Sequence, residues 1–496
     1  MNRIADIFQN SKPLLDGIVS FVDKYIGSEL LRKCHITKIV DEIKEDGSMT
    51  YCDNPILRLL GSAEGPKILK KSVSAKELLI DKLIVCFAMG TSSYLMFKTD
   101  TFFRSYKKDT FYRFDRLEKA NWERLQLETA ANVIKDIESR TAPDHVNALI
   151  FDDSLYKRTG GKGTELCSKV FDHTDNKMRL GYRMMTGAWC DGESTIPFAQ
   201  ALLTTQKESL MVGKDVPVDR RTLRGKRRAL AKTKGPAVVQ KMVRLAQKAG
   251  IPFNYVLFDT WFSTPSQLSE LKALGTDVIA MIKKGSTKYT VSDPDTAAKR
   301  KLDVREIYSR NRKRRGRSRY LLSVEATIPD GKGGEMPVRL VYARNRNNRK
   351  DWVCFVSTDM DLDEEEILRI YSMRWNIEIY FKMSKSYLKL RTECHSTSYD
   401  AITSHMIIVA LRYMILAVER FNNSDKRSIE ELFYGIQREI VRMELNYVMT
   451  LFFETMIDSV RTIFSPSEEQ MDKLLFDFTS KLPTIWQQRF DMRIAA

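Results

Sequence analysis

The feature that most constrains this chain is a change of hydrophobic period at Pro143. Before it, in Ser11–Ile26, Ser74–Met89 and Asn121–Ser139, apolar residues recur at three- and four-residue intervals, the spacing of helices that bury one face. After it, short apolar runs end in acids or turn residues. His145–Ser154 reads as a strand closing on Asp152 and Asp153, Lys169–Trp189 as a hairpin turning at Asp175-Asn176, and Thr195–Leu203 as a third strand after the Asp191-Gly192 turn. Ala237–Gly250 then reads as a helix with a glycine C-cap, Phe253–Thr260 as a strand, Pro265–Gly275 as a helix and Asp277–Lys284 as a strand. Neighbouring antiparallel strands followed by strand-helix units are most simply buried as a mixed sheet covered by helices, which makes the fold class α/β.

Residues 285–360 interrupt that pattern with a basic, Gly- and Arg-rich stretch and the strand-like runs Ser318–Ile328, Met336–Asn345 and Trp352–Thr358. They predict a β-rich basic insertion. Asp363–Arg391 has helical periodicity and acids in its first turn, and predicts one long helix. The remainder reads as helical, with capping boxes at Ser428/Glu431 and Ser465–Glu468. The expected organisation is a helical region at 1–143, a first part of the core at 144–284, the insertion at 285–360, a second part of the core with the long helix at 361–398, and a helical C-terminal region at 399–496.

Charge separates along the same chain. Arg220–Phe258 holds eleven Lys/Arg and no acid, and Lys299–Arg319 holds eleven more against Asp303 and Glu306. Together these two segments exceed the +17 of all 496 residues, so the basicity is focused, as on a phosphate-binding surface. One basic run is as often a solvated loop; two in an otherwise near-neutral chain favour nucleic acid. The expected contacts are Arg220, Arg221, Arg224, Lys226, Arg227 and Arg228, with Arg312, Lys313, Arg314 and Arg315. Tyr106–Arg116 could form a short basic helix carrying Arg113 and Arg116, either a recognition helix or an ordinary connector.

Several chemistries lose their sequence basis. Seven scattered cysteines with no CxxC pair argue against a disulfide framework and a structural zinc site, and neither HExxH nor GxxxxGK[ST] occurs. A catalytic metal would therefore be held by carboxylates. The longest nearly apolar stretch, Met406–Val418, is short for a bilayer and broken by Arg412, so no membrane span is expected. The N-terminus lacks an export-signal pattern, and a cytoplasmic location is expected.

Asp152 and Asp153 close one strand, Asp259 closes another, and Glu378 sits in the long helix. Strand-end acids can meet at one sheet edge, and a helix packed across that edge can add a third. Such oxygen ligands suit Mg²⁺, and two ions can activate the attacking oxygen and stabilise the leaving oxygen in phosphodiester chemistry. With 64 acids in the chain many such triples exist, and the neighbours of Glu378 single this one out. Tyr371, Arg374, Glu378, Lys382 and Lys385 fall at i, i+3, i+7, i+11 and i+14, on one stripe of a helix. The plainer reading is a surface helix with ion pairs such as Glu378–Lys382.

The pattern Tyr371-x2-Arg374-x3-Glu378-x6-Lys385 resembles the Tyr-Arg-Glu-Lys signature of bacterial insertion-sequence DDE transposases of the insertion sequence 4 type. The Arg374-Trp375 pair and Lys382 resemble that family's helix too. Ile150–Ser154 is similar to its strand ending in Asp-x-Ser/Thr, and Val256–Thr260 to its second strand ending in Asp. The resemblance implies a ribonuclease H-like catalytic domain with Asp152, Asp259 and Glu378 as catalytic ligands of two Mg²⁺ or Mn²⁺ ions. It also implies Tyr371, Arg374 and Lys385 as phosphate contacts, with Lys382 as a helper. The strand period lets only one of Asp152 and Asp153 face the metals; the Asp-x-Ser pattern favours Asp152, with Asp153 the alternative. Trp375 could stack on a distorted or flipped base, although burial is the commoner setting for a helix tryptophan.

The implied function is cut-and-paste transposition of an insertion sequence: binding of terminal inverted repeats by region 1–143 and the basic segments, strand cleavage, and strand transfer into target DNA. A homodimer in a synaptic complex is implied as well, with 399–496 completing the fold or dimerising, acting on the bacterial nucleoid. The competing readings are a ribonuclease H-like nuclease without strand transfer and a non-catalytic DNA-binding regulator.

Overall fold

The structure, a computed structural model, describes residues 13–44, 68–87, 106, 108–142, 145–172, 175–292, 298–314, 316, 318–346, 348, 350–422 and 427–481. In the N-terminal region, α1 (Pro13–Phe21) and α2 (Gly27–Lys33) flank a π-helical turn. Next come β1 (Ile39–Lys44), β2 (Ile68–Val73), α3 (Ala75–Ile84), α4 (Lys108–Asp115) and α5 (Trp122–Glu138). Ser74 caps α3 by accepting from the Glu77 amide, and Asn121 caps α5 in the same way through Arg124. The region read as helical thus also contains a two-stranded antiparallel sheet, with Ile39 opposite Val73 and Lys44 opposite Ile68. Neither strand alternates, since Ile39-Val40 and Ile68-Leu69 place apolar residues next to each other and Asp41-Glu42 and Lys70-Lys71 do the same for charges, so no two-residue period marks them.

The central part runs β3 (Ala148–Lys157), β4 (Ser168–Asp172), β5 (Lys177–Cys190), β6 (Thr195–Leu203), α6 (Leu223–Ala231), α7 (Gly235–Lys248), β7 (Tyr255–Phe258), α8 (Pro265–Lys272) and β8 (Asp277–Ile282). It continues through β9 (Lys288–Ser292), β10 (Lys299–Asp303), α9 (Val304–Arg310), β11 (Leu322–Pro329), β12 (Glu335–Arg344) and β13 (Trp352–Ser357). The strands from β3 onward form one eleven-stranded mixed sheet among the described residues. β3 is antiparallel to β5 on one side and parallel to β7 on the other, and β7 is parallel to β8. β4 pairs with the first part of β5, and β6 with the rest. The segment read as an insertion does not fold apart. β13 pairs antiparallel with β8 and extends the same sheet through β12, β11, β9 and β10.

The remaining elements are α10 (Glu364–Ser372), α11 (Asn376–Ser386), α12 (Tyr399–Asn422), α13 (Ile429–Phe464) and α14 (Glu468–Lys481). The single helix expected over Asp363–Arg391 is divided. A 3-10 turn at Met373–Trp375 separates α10 from α11, a tightening of the kind that marks a local functional constraint; here it falls where Arg374 reaches β3. The helix then stops at Ser386, because Leu388 and Leu390 turn into the core and Lys389 adopts a φ of 62°.

The core gathers on α12, which packs against α1, α3, α4, α5, α11, α13 and β6. By length and hydropathy α12 could cross a membrane, yet its whole apolar window is buried inside the protein. Its Arg412 is fully buried and donates to both carboxylate oxygens of Glu393, at 2.7 and 3.0 Å. Each large apolar side chain such as Leu411 or Met414 that is buried there contributes about 1.5–3 kcal/mol. The seat of β3 is equally specific: a Cβ at Gly187 would lie 2.7 Å from the Phe151 ring and 2.9 Å from that of Phe198. Those rings meet edge to face beneath β3 and hold the residue before Asp152.

Candidate active site at the sheet edge

Two parallel strands set the site. Ile150 pairs with Leu257 and Phe151 with Phe258, so Asp152 and Asp259 stand side by side where that pairing stops. Asp259 lies just past the end of β7, whereas Asp152, expected to close its strand, lies within β3, which runs on to Lys157 with Asp152 opposite Thr186 of β5. α10 and α11 cross that edge and bring Tyr371, Arg374 and Glu378. Arg374 Nη1 donates to Asp152 Oδ2 at 2.8 Å and lies 3.8 Å from Glu378 Oε1. α11 is itself anchored, for the Tyr380 hydroxyl accepts from Gln200 of β6 at 2.9 Å and the Asn376 amide reaches Cys190 of β5.

Adjacent residues of a strand face opposite ways, and Asp152 and Asp153 do so. Asp152 is nearly buried, takes the Arg374 bond and accepts the Asp153 amide at 2.8 Å. Asp153 is gripped from the other side by both ends of the Arg183 guanidinium, at 2.7 Å each. Burial pushes the Asp152 carboxyl up to about 7, with Arg374 opposing the shift and Asp259 and Glu378 adding to it. Asp259 is raised too, first by burial; the Trp261 amide at 3.0 Å and Arg374 oppose this, while Asp153 and Glu378 reinforce it. Asp152, Asp259 and Glu378 thus face one another across Arg374, and the site's donors are all hard oxygens.

That donor set fits a divalent cation such as Mg²⁺ or Mn²⁺ in kind. Among the described residues, no three His, Cys, Asp or Glu side chains stand close enough together to hold a metal ion as placed. Arg374 is the ionic partner of Asp152 here.

The other sequence candidates divide. Tyr371 is buried beside Arg374, its ring 4.7 Å from that of Phe355. The Lys385 ammonium donates to Ser154 Oγ, two residues past Asp152; burial lowers its pKa to about 8, with Arg391 adding to the effect. Lys382 turns away and pairs with Glu430 of α13 at 3.4 Å. Trp375 is not buried as a helix tryptophan usually is but 65% exposed. Sequence reading missed Trp261, which is also exposed, lies two residues past Asp259 and has the Lys283 ammonium 5.4 Å from its ring centre. The available signal was an aromatic residue directly after a strand-ending acid.

The first basic segment needs correction. Arg224, Arg227 and Arg228 were expected to face DNA, yet all three donate to Asp400 at the start of α12. Arg224 also pairs with Glu118 at 3.0 Å, Arg227 with Glu123 at 2.8 Å and Arg228 with Glu165 at 2.6 Å. Arg227 and Arg228 are buried, and guanidinium groups so enclosed must meet carboxylates rather than solvent, while the half-buried Arg224 joins the same brace through Asp400. Arg220 and Lys226 remain exposed, as does Arg221, which pairs with Asp219. In the second segment Lys313 lies over the Tyr308 ring and Arg314 over that of Tyr320. Arg312 is exposed, and Arg315 lies outside the described residues.

Residues 230–415, from the end of α6 into α12, match the family model described as the transposase DDE domain. The matched stretch contains Asp259 and Glu378 and begins after Asp152. No curated protein matches the chain. The family match supports a DDE transposase, with DNA as its partner and a divalent metal of the kind such enzymes generally use.

Proposed function

We propose that the chain is a DNA transposase of the insertion sequence 4 type, with a ribonuclease H-like core, that moves its element by cut-and-paste transposition. The observation that carries this reading is the placement of Asp152 and Asp259 side by side where the parallel pairing of β3 and β7 stops, with Arg374 and Glu378 of the Tyr-Arg-Glu-Lys stretch set across them. Asp152, Asp259 and Glu378 would hold two Mg²⁺ or Mn²⁺ ions, with Asp153 kept apart by Arg183. When bound, the metal supplies Lewis acidity to the attacking and leaving oxygens of an in-line displacement.

The chain's own groups do the rest. Arg374 balances charge at Asp152 and has further N–H donors for a phosphate oxygen. Lys385, held at Ser154, offers a cation to the next phosphate, and Tyr371, buried beside Arg374 with its hydroxyl unpaired among the described residues, offers a donor to a phosphate oxygen. The protein binds terminal inverted repeats, cuts there, and transfers the freed 3′-hydroxyl to target DNA; it acts as a homodimer in a synaptic complex, in the cytoplasm on the nucleoid.

The test uses DNA carrying the ends of the encoding element, incubated with the protein in Mg²⁺, in Mn²⁺ and in EDTA. Nicks at the termini and joined products, both dependent on metal, are the expected result. Cutting that persists in EDTA would refute the reading. Nicks without joined products would point instead to a nuclease, and binding without cutting to a regulator.

The exposed Trp375 adds a second expectation, that it stacks on a base displaced at the cut end. Trp375→Ala should then slow cleavage of fully paired ends by the equivalent of about 1–3 kcal/mol, the worth of one base-aromatic stack. Cleavage of ends lacking that base should be unaffected. Equal slowing on both substrates would assign Trp375 to packing.

A further inference from the structure

With Arg224, Arg227 and Arg228 spent on internal carboxylates, the cations of the acid-free segment that remain available are displayed elsewhere. A groove of about 750 Å³ runs between α5, α6 and α7, with Arg220, Lys226, Lys241, Arg244 and Lys248 on its walls. All five are exposed, and none makes an ion pair with another described residue. The one acid on the lining, Glu123, is taken by Arg227. The floor is apolar, formed by residues such as Leu127, Ala199, Val238 and Met242.

The groove has a direction. Lys241, Arg244 and Lys248 fall at i, i+3 and i+7 of α7, so they share one face, and they span about 10 Å at 1.5 Å per residue. The first turn of α7 abuts the catalytic edge: a Cβ at Gly235 would lie 3.1 Å from Phe262, three residues past Asp259, and the Pro236 carbonyl accepts from Gln267 at 3.2 Å. The row of cations therefore leads away from the candidate active site along the length of α7.

We infer that this groove holds the sugar-phosphate backbone of duplex DNA beyond the scissile phosphate, with Lys241, Arg244 and Lys248 on one wall and Arg220 and Lys226 on the other. The inference rests on the reading of the chain as a DNA-cutting enzyme and names where its substrate continues. A backbone fits both features of the groove: regularly spaced phosphates meet the wall cations, and the C–H faces of the sugars lie on the apolar floor. An acidic protein segment would match the charge but would not account for a row of cations on a helix whose first turn packs on Phe262, three residues past Asp259.

The test is a salt titration of binding to two duplexes, one ending just past the cut position and one extended well beyond it. In the Lys241→Gln/Arg244→Gln/Lys248→Gln protein, the dependence of log affinity on log salt for the long duplex should become shallower by about 2.7, three contacts at roughly 0.9 each. The short duplex should bind as before and be cut at an unchanged rate. Arg220→Gln/Lys226→Gln, altered on the opposite wall, should lower the same slope by about 1.8 on the same count and guards against a folding defect in the first variant. An unchanged slope in both variants would overturn the inference, as would loss of self-association without any change in slope, which would assign the groove to a protein partner. Failure of the wild type to cut either duplex would refute the catalytic reading and is scored separately from the slope.

Discussion

Glu378→Gln should abolish metal-dependent cutting, lowering the rate by about 10³-fold, the upper end of what loss of one charge-stabilising group costs, while leaving the protein folded. The substitution keeps the shape of the side chain and removes its charge. Little stability is at stake, since the Glu378 side chain is 40% exposed and its one ion pair, to Arg374, is 3.8 Å long, a contact worth about 0–1 kcal/mol. Thermal unfolding of the variant should therefore match the wild type, while Mn²⁺ binding measured by calorimetry should weaken. Asp153→Asn is the internal contrast: its carboxylate is occupied by Arg183, so cutting should survive, whereas Asp152→Asn should fail as Glu378→Gln does. Wild-type rates in Glu378→Gln, or inactivity of Asp153→Asn in a folded protein, would sink this assignment of the acids.

The largest stability effect should come from a residue outside the site. Asp400→Ala should cost about 3–5 kcal/mol, because removing one partner of a buried ionic cluster strands the others, and here one carboxylate serves Arg224, Arg227 and Arg228. Urea unfolding would show it as a lower midpoint at unchanged slope. The acid limb should change as well. Burial opposes ionisation of Asp400, but Arg227 and Arg228 more than offset this and hold its carboxyl below the usual carboxylate value. A depressed folded pKa gives stability that is present above the unfolded value and lost as pH falls through the folded one. Asp400→Asn should therefore flatten that part of the acid-denaturation curve. A loss below about 1 kcal/mol, the range of exposed pairs, would show that the cluster is not the brace described.

What could be read in advance followed from local pattern. β3 and β7 were visible because each contains an apolar run followed by an acid, although only β7 stops there and β3 runs on to Lys157; the helix bearing Glu378 was visible because its signature is dense. What escaped depended on partners remote in sequence. A count of arginines does not reveal that Arg227 meets Glu123 and Asp400, over a hundred residues away on either side, so a buried brace looked like a DNA-binding run. Lys382 shares a helical stripe with Arg374, but a stripe cannot foresee that Glu430 of α13 stands beside one end of it. That Asp152 faces Arg374 while Asp153 faces Arg183 needed the position of Arg183 on β5 and of Arg374 across β3. Trp375 was misjudged because the average burial of tryptophan was applied to a residue standing at a 3-10 turn.

The pairing of β13 with β8 makes the 285–357 stretch an outrigger fixed to the hull of the sheet. Cutting it away would strip the neighbour from β8, whose Val278, Ile279 and Ala280 are now fully buried, and would open a flat apolar edge that invites pairing between copies. A shortened protein would therefore face clumping before any question of activity arose. Shuffling this stretch between related chains would have to carry β8 and β13 together, so that the unit of exchange is a pair of strands and not the loop between them.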